Sequence, residues 1–175
     1  MTFRRLVRAH RNEKGLTLVE LVMAMGVTAI ILGGITATLW QVFNTNTRSV
    51  NHMTAVRQVQ SAGYWVSQDA LMAQSITTSN TTSHLPLTLT WTDWDGVVHT
   101  VTYSFDNNRL KRTQGSGGDL IAHYIVPKSP TDLDGTICDF TSGKLVFTVK
   151  ATVGSGATAG TEVRVYEVVP RTGAN

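Results

Sequence analysis

The stretch Lys14-Gly15-Leu16-Thr17-Leu18-Val19-Glu20-Leu21 opens an apolar run that continues to about Phe43. Between Leu16 and Phe43 the only ionisable side chain is that of Glu20. The roughly 23 uncharged residues after it would form a helix of about 34 Å, enough to cross a hydrocarbon core of about 30 Å. Because a carboxylate near the start of such a segment is costly in lipid, Glu20 is a candidate functional residue.

The positive charge of the chain is concentrated before this run. The whole chain has 15 Lys/Arg and 12 Asp/Glu, but residues 1–15 hold five Lys/Arg and one Glu. The remainder therefore has ten basic and eleven acidic residues, a net charge of −1. The charge of residues 16–175 does not support a nucleic-acid partner, which is kept only as an alternative. A basic flank before an apolar span stays in the cytoplasm, so the rest of the chain is expected to be exported.

Two alternatives for this region remain open. The run could be a plain membrane anchor whose Glu20 reaches the headgroup layer. It could also be a secretory signal with a weak cleavage site at Thr36-Ala37, although the run is longer than the usual apolar core of about 7–15 residues.

The motif resembles the prepilin signal of type IV pilins and type II secretion pseudopilins. That signal combines a basic leader ending in Gly, an apolar first mature residue, a Thr-Leu-x-Glu step and an apolar helix. The resemblance implies cleavage after Gly15 by a prepilin peptidase and N-methylation of Leu16, with Glu20 serving filament assembly. The implied protein crosses the inner membrane once with its N-terminus in the cytoplasm, and its partners are other pilin subunits and an inner-membrane assembly platform. Major pilins commonly have a proline where this chain has Ala37, so a minor subunit is favoured.

The sequence predicts an α+β fold, a long N-terminal helix packed on a C-terminal antiparallel β domain. The predicted parts are a leader (1–15), an apolar helix (16–43), an amphipathic continuation (44–76) and the β domain (77–175). The helix is expected to run from about Thr17 to Ile76, roughly 90 Å. Seven residues at three- and four-residue spacing predict its buried stripe: Met53, Val56, Val59, Ala62, Val66, Ala70 and Ala73. Asp69 lies off this stripe.

Alternating apolar residues predict the strands of the β domain. The expected strands are Leu85–Trp91, Val97–Phe105, Arg109–Thr113, Leu120–Val126, Leu145–Val153 and Glu162–Val169. Asp95-Gly96 predicts a hairpin. The stretches 77–83 and 114–119 are predicted as loops, and 128–139 as an irregular connection.

Three later segments also resemble J-type minor pseudopilins and W-type minor pilins. They are the helix end around Asp69, the pair Val101-x-Tyr103 and Leu110-x-Arg112, and the ending Val168-Val169-Pro170-Arg171. These matches are short and loosely spaced, whereas the N-terminal match is specific.

No catalytic motif is present, so no enzyme activity and no cofactor are predicted. The single cysteine, Cys138, is expected to be a core side chain. A weak calcium candidate comprises Asp132, Asp134 and Asp139. Trp94 is a weak ligand-binding candidate beside the hairpin, whereas Trp91 fits the core face of its strand.

The basic cluster Arg109, Lys111 and Arg112 is interpreted as a solvated strand edge. The predicted function is that of a minor pilin or pseudopilin that initiates or caps a type IV pilus-like or type II secretion filament. The alternative is a membrane-anchored, exported domain that binds DNA, sugar or a surface ligand.

Overall fold

The computed structural model describes residues 15–171, and within them one long helix precedes antiparallel strands. The α+β prediction is therefore confirmed. The elements are α1 (Leu18–Met72), β1 (Ser75–Thr78), β2 (Leu87–Thr92), β3 (Val98–Asp106), β4 (Arg109–Gln114), β5 (Gly117–Ala122), β6 (Ile137–Thr141), β7 (Lys144–Val153) and β8 (Gly160–Val168). A 3₁₀ turn, Gly156–Thr158, separates the last two strands. The chain divides between Phe43 and Asn44 into two compact units.

The second unit contains two sheets. The five-stranded sheet follows chain order from β1 to β5, and the three-stranded sheet has the order β6-β7-β8. Burial alternates strictly along β2 and β7, which shows that one face of each strand points into the core. The apolar side chains on these faces form one core with the C-terminal part of α1.

The C-terminal part of α1 contacts both sheets. The Ser61 hydroxyl donates to the Ile121 carbonyl at 2.7 Å on the five-stranded side. The Tyr166 hydroxyl of the three-stranded sheet donates to the Val59 carbonyl at 3.3 Å. Most of the predicted stripe is buried, including Val66, but Met53 is 55% exposed.

The helix is shorter at its C-terminal end than predicted, and the predicted range 44–76 is wrong in its last residues. α1 ends at Met72 because the following residues join the sheet as β1. There Ile76 pairs with Leu89, and the Gln74 N–H donates to the Thr90 carbonyl at 2.8 Å. Residues 77 and 78 are therefore strand and not loop.

Two further segments differ from the prediction. The glycine-rich stretch predicted as a loop supplies the start of β5, paired with β4 across a turn in which Gly115 has a φ of +60°. In the segment predicted as irregular, Ile137–Thr141 forms β6 because it pairs with β7.

Candidate functional site

Thr17 fixes the start of α1. Its Oγ1 accepts a hydrogen bond from the Glu20 backbone N–H at 3.3 Å, and its carbonyl accepts one from the Leu21 N–H at 3.1 Å. This N-cap satisfies backbone donors that have no partner inside the helix. The Thr-x-x-Glu spacing of Thr17 and Glu20 is also that of a capping box, a sequence signal for the start of a helix. The Gly15–Leu16 peptide bond consequently lies just before the helix.

Glu20 lies in the first turn of α1, where a carboxylate is stabilised by the helix dipole. Its side chain is exposed and forms no ion pair within the described residues 15–171. Gly15, Leu16 and Glu20 are thus all accessible at the helix start. Residues 1–14, which hold most of the predicted leader, lie outside the described residues.

The apolar part of α1 is exposed on every side. All residues from Gly15 to Val50 are exposed, including Leu18 at 79% and Ile30 at 78%. The helix is long and apolar enough to cross a bilayer. Three threonines in this part of the helix, Thr28, Thr36 and Thr38, donate their hydroxyl hydrogens to the carbonyl four residues earlier at 2.8–2.9 Å. The hydroxyl donors therefore have hydrogen-bond partners without water.

A buried polar group, the Asp69 cluster, links α1 to the five-stranded sheet; it comprises Asp69, Tyr103 and Arg112. Asp69 is 2% exposed. Arg112 donates to both of its carboxylate oxygens, from Nε to Oδ2 at 2.7 Å and from Nη2 to Oδ1 at 3.0 Å. The Tyr103 hydroxyl also donates to Oδ2. This bidentate pair fixes the helix against β3 and β4.

The surroundings keep the Tyr103 hydroxyl neutral and the Arg112 guanidinium charged. Burial, followed by the adjacent Asp69 carboxylate, raises the pKa of the Tyr103 hydroxyl, which therefore remains a neutral donor. Hydrogen bonds to Asp69 raise the pKa of the Arg112 guanidinium, which remains charged. The guanidinium also lies 5.2 Å from the centre of the Trp65 ring, and its Nη1 donates to Gln114 Oε1 at 3.0 Å.

The Asp69 cluster corrects two expectations from the sequence. The sequence predicts Asp69 off the buried stripe and Arg112 at a solvated strand edge. Both interpretations are wrong, because the two side chains neutralise each other inside the domain and β5 covers the outer side of β4. The available signal was that Asp69, Tyr103 and Arg112 each lie in a segment that resembles minor pilins.

The two tryptophans beside the turn between β2 and β3 have different environments. Trp91 is 6% exposed and its ring stacks on His99 with centres 5.4 Å apart, so the core prediction is confirmed. Trp94 is 98% exposed at the hairpin tip. An exposed aromatic ring is available for contact with a ligand or a partner.

The three aspartates of the calcium hypothesis are not brought together as one ligand set. Asp132 pairs with Lys150 Nζ at 2.8 Å, and Asp139 lies 2.6 Å from His84 Nδ1. Asp134 is exposed. Among the described residues, no group of three or more His, Cys, Asp or Glu side chains could hold a metal ion.

Cys138 is fully buried, which confirms its prediction as a core side chain. Burial, with a smaller contribution from Asp139, raises the pKa of its thiol to about 12. A thiol in this state is a poor nucleophile.

Comparison with known proteins bears on the N-terminal region. Residues 10–36 match the family model described as the prokaryotic N-terminal methylation motif. No curated protein and no solved structure is significantly similar to this chain. The match covers the predicted cleavage position, the Thr17 cap and Glu20. The chain thus carries the prepilin-type methylation motif, which indicates a precursor of the pilin or pseudopilin type.

Proposed function

We propose that this chain is a minor pilin or pseudopilin that initiates or caps a type IV pilus-like or type II secretion filament. The observation that carries the proposal is the apolar helix, which is exposed on every side and whose first part lies within the methylation motif. Such a surface is not stable in water, because apolar area of this extent requires lipid or protein cover. Lipid would cover it before assembly, and neighbouring subunits would cover it in the filament.

The Asp69 cluster supports the minor-subunit assignment. Its three residues come from two segments that resemble J-type pseudopilins and W-type pilins, the helix end and the hairpin, and they contact one another in the folded chain. Ala37, in place of the proline common in major pilins, is consistent with the same assignment.

In this proposal a prepilin peptidase cleaves after Gly15, and the new Leu16 terminus is N-methylated. The basic leader stays in the cytoplasm and the β domain is exported, because basic flanks are retained on the cytoplasmic side. The exposed, non-helical Gly15–Leu16 bond suits access by a peptidase. An inner-membrane assembly platform would then move the helix from the bilayer into the filament.

The test is deletion of the gene followed by complementation. We expect filaments counted by electron microscopy to be lost or sharply reduced, and to return with the wild-type chain but not with Gly15→Val. Mass spectrometry of the complemented strain should find N-methylated Leu16 at the terminus. Normal filament numbers in the deletion strain would overturn the proposal, and so would a terminus at Met1 or Thr38.

The exposure of Trp94 favours a second candidate, an anchored and exported binding domain that is not built into a filament. In that case deletion would leave filament number unchanged. Trp94→Ala would then abolish binding to a sugar, DNA or surface ligand. If the chain is a filament subunit, no loss of ligand binding is expected from this variant.

A further inference from the structure

A pocket of about 400 Å³ lies beside the start of β8 in the second unit. We call it the Arg48 pocket; its lining comprises Thr45, Arg48, Ser49, His52, Ala159, Gly160 and Thr161. Its size is typical of pockets that hold small ligands. The four helical residues have the spacing i, i+3, i+4 and i+7, which brings them to one face of α1.

The chemistry of the Arg48 pocket is that of an anion site. Arg48 offers a planar fork of N–H donors, and His52 adds a ring that is cationic when protonated. Thr45 and Ser49 contribute hydroxyl donors. Within residues 15–171 these four side chains have no hydrogen-bond or ion-pair partner, and no Asp or Glu lines the pocket.

The acidic residue nearest in sequence to the lining is already neutralised. Glu162 follows Thr161, and its Oε1 accepts a hydrogen bond from Arg164 Nε at 3.0 Å. The Thr161 hydroxyl lies 3.1 Å from Thr152 Oγ1, so it is held in position. The positive charge of Arg48 is therefore not cancelled by its surroundings.

The floor of the Arg48 pocket is rigid. Gly160 packs against the helix so closely that a Cβ there would lie 2.2 Å from the His52 backbone nitrogen. The Asn51 side-chain amide donates to the Thr158 carbonyl at 2.8 Å. These contacts hold the lining from α1 and the lining from β8 together, so little reorganisation is needed when a ligand binds.

We propose that the Arg48 pocket binds a phosphate group. A tetrahedral oxyanion accepts hydrogen bonds from the guanidinium fork and from hydroxyls at once, and charge-assisted bonds of this kind are strong. The phosphate has two candidate sources, a phospholipid headgroup and a soluble phosphorylated molecule. Arg48 follows Phe43, the end of the apolar run, by five positions in sequence. A headgroup is therefore a natural source in the membrane-inserted protein, whether or not the protein later enters a filament.

The test uses the mature full-length protein, labelled with ¹⁵N, in dodecyl maltoside micelles, which contain no phosphate. Inorganic phosphate is titrated while the amide signals of Ser49, Gly160 and Thr161 are followed by NMR. In parallel, micelles are doped with phosphatidylglycerol or with a galactolipid of the same acyl chains. The phosphate-dependent shifts should saturate and should weaken at least about fivefold in Arg48→Gln.

The matched control is Arg57→Gln, an exposed arginine of the same helix that does not line the pocket. It should bind like the wild type. Shifts with phosphatidylglycerol but not galactolipid identify a headgroup as the source, and shifts with inorganic phosphate alone identify a soluble ligand. The proposal is overturned if neither phosphate source shifts these signals, or if Arg57→Gln weakens binding as much as Arg48→Gln. Filament counts play no part in this test, so its failure is separate from failure of the filament role.

Discussion

Both carboxylate oxygens of Asp69 are engaged inside the domain, by Arg112 and by the Tyr103 hydroxyl. A buried ion pair adds little net stability when both charges are present, because attraction and desolvation nearly cancel. Removing one partner is different, since the remaining charge is then buried without compensation. Removing the Asp69 charge alone should therefore destabilise the fold by much more than the intact ion pair stabilises it.

We predict that Asp69→Asn lowers the free energy of unfolding by about 3–5 kcal/mol. Replacing all three polar groups, in Asp69→Leu/Tyr103→Phe/Arg112→Met, should cost less than this single change because no buried polar group is left unpaired. Urea unfolding of the mature protein in dodecyl maltoside micelles, followed by tryptophan fluorescence, measures both. The control is Asp106→Asn, whose pair with Arg109 is exposed and should contribute under about 1 kcal/mol. Equal costs for Asp69→Asn and Asp106→Asn would contradict the prediction.

Cys138 leads to a prediction about reactivity. Its thiol keeps its proton up to about pH 12 in the folded chain, against an ordinary pKa of 9.0. Iodoacetamide at pH 8.5 should therefore modify the native protein at least about 100-fold more slowly than the urea-unfolded protein, since the thiolate is the reactive form. Mass spectrometry follows the modification. Rates within tenfold of each other would show that the thiol is accessible.

The same shift predicts a pH effect with a definite sign. Between pH 9 and 12 the unfolded thiol has lost its proton and the folded thiol has kept it, so unfolding releases a proton. The contribution of Cys138 to stability is therefore constant below about pH 9 and declines as the pH rises through this window.

At the scale of elements, the sequence predicted best where one local pattern decides the structure. The alternation in β7, from Leu145 to Val153, shows directly which side faces the core. The helix follows from a long stretch without proline. The prediction failed where a residue distant in sequence determines the structure. Ile76 was expected at the end of the helix, but it lies in β1 because it pairs with Leu89. Asp69 was misplaced for the same reason, because its burial depends on Arg112, 43 positions away.

The junction between α1 and β8 can be tested at Gly160. A Cβ at this position would lie 2.2–2.6 Å from backbone atoms of Asn51 and His52, which cannot rotate away. Gly160→Ala should therefore lower the free energy of unfolding by at least about 1–3 kcal/mol, the usual cost of overpacking.

The matched control is Gly117→Ala in β5, where the nearest atom to an added Cβ is 3.8 Å away. This change should be close to neutral in the same urea titration. If the two variants unfold at the same urea concentration, the close contact between β8 and the helix is not as tight as described.

At the scale of the whole molecule, the buried apolar core begins at Ala55, and every described residue before Asn51 is exposed. We therefore predict that a chain beginning at Asn44 is folded and monomeric in water. Circular dichroism and analytical ultracentrifugation measure this. Val66→Asp in the same truncated chain should unfold it, because Val66 is fully buried and an unpaired buried charge costs several kcal/mol. An unfolded wild-type truncation would place an essential part of the core before Asn44.

Placing the Glu20 carboxylate in lipid costs free energy while the chain is inserted in the membrane. On insertion scales an acidic residue at the bilayer centre costs about 2.5–3.5 kcal/mol, and less near the interface. Cleavage after Gly15 would create an ammonium group on Leu16, four residues before the carboxylate. Because Glu20 forms no ion pair within residues 15–171, it is available to the ammonium group of a neighbouring subunit. Such a contact would offset the desolvation cost only when two subunits are aligned, and it would therefore set the register of assembly.

We predict that Glu20→Gln is cleaved and inserted like the wild type but enters filaments poorly. The amide keeps the size of the side chain and its place in the first helical turn while removing the charge that pairs with a neighbouring terminus. The measurement is the ratio of the protein in sheared filaments to that in the membrane, by quantitative immunoblot, with mass spectrometry of the N-terminus to establish processing. Glu20→Asp, which keeps the charge on a shorter side chain, should restore part of the ratio. Incorporation of Glu20→Gln at the wild-type ratio would mean that subunit register is set by the apolar surface of the helix and not by this carboxylate.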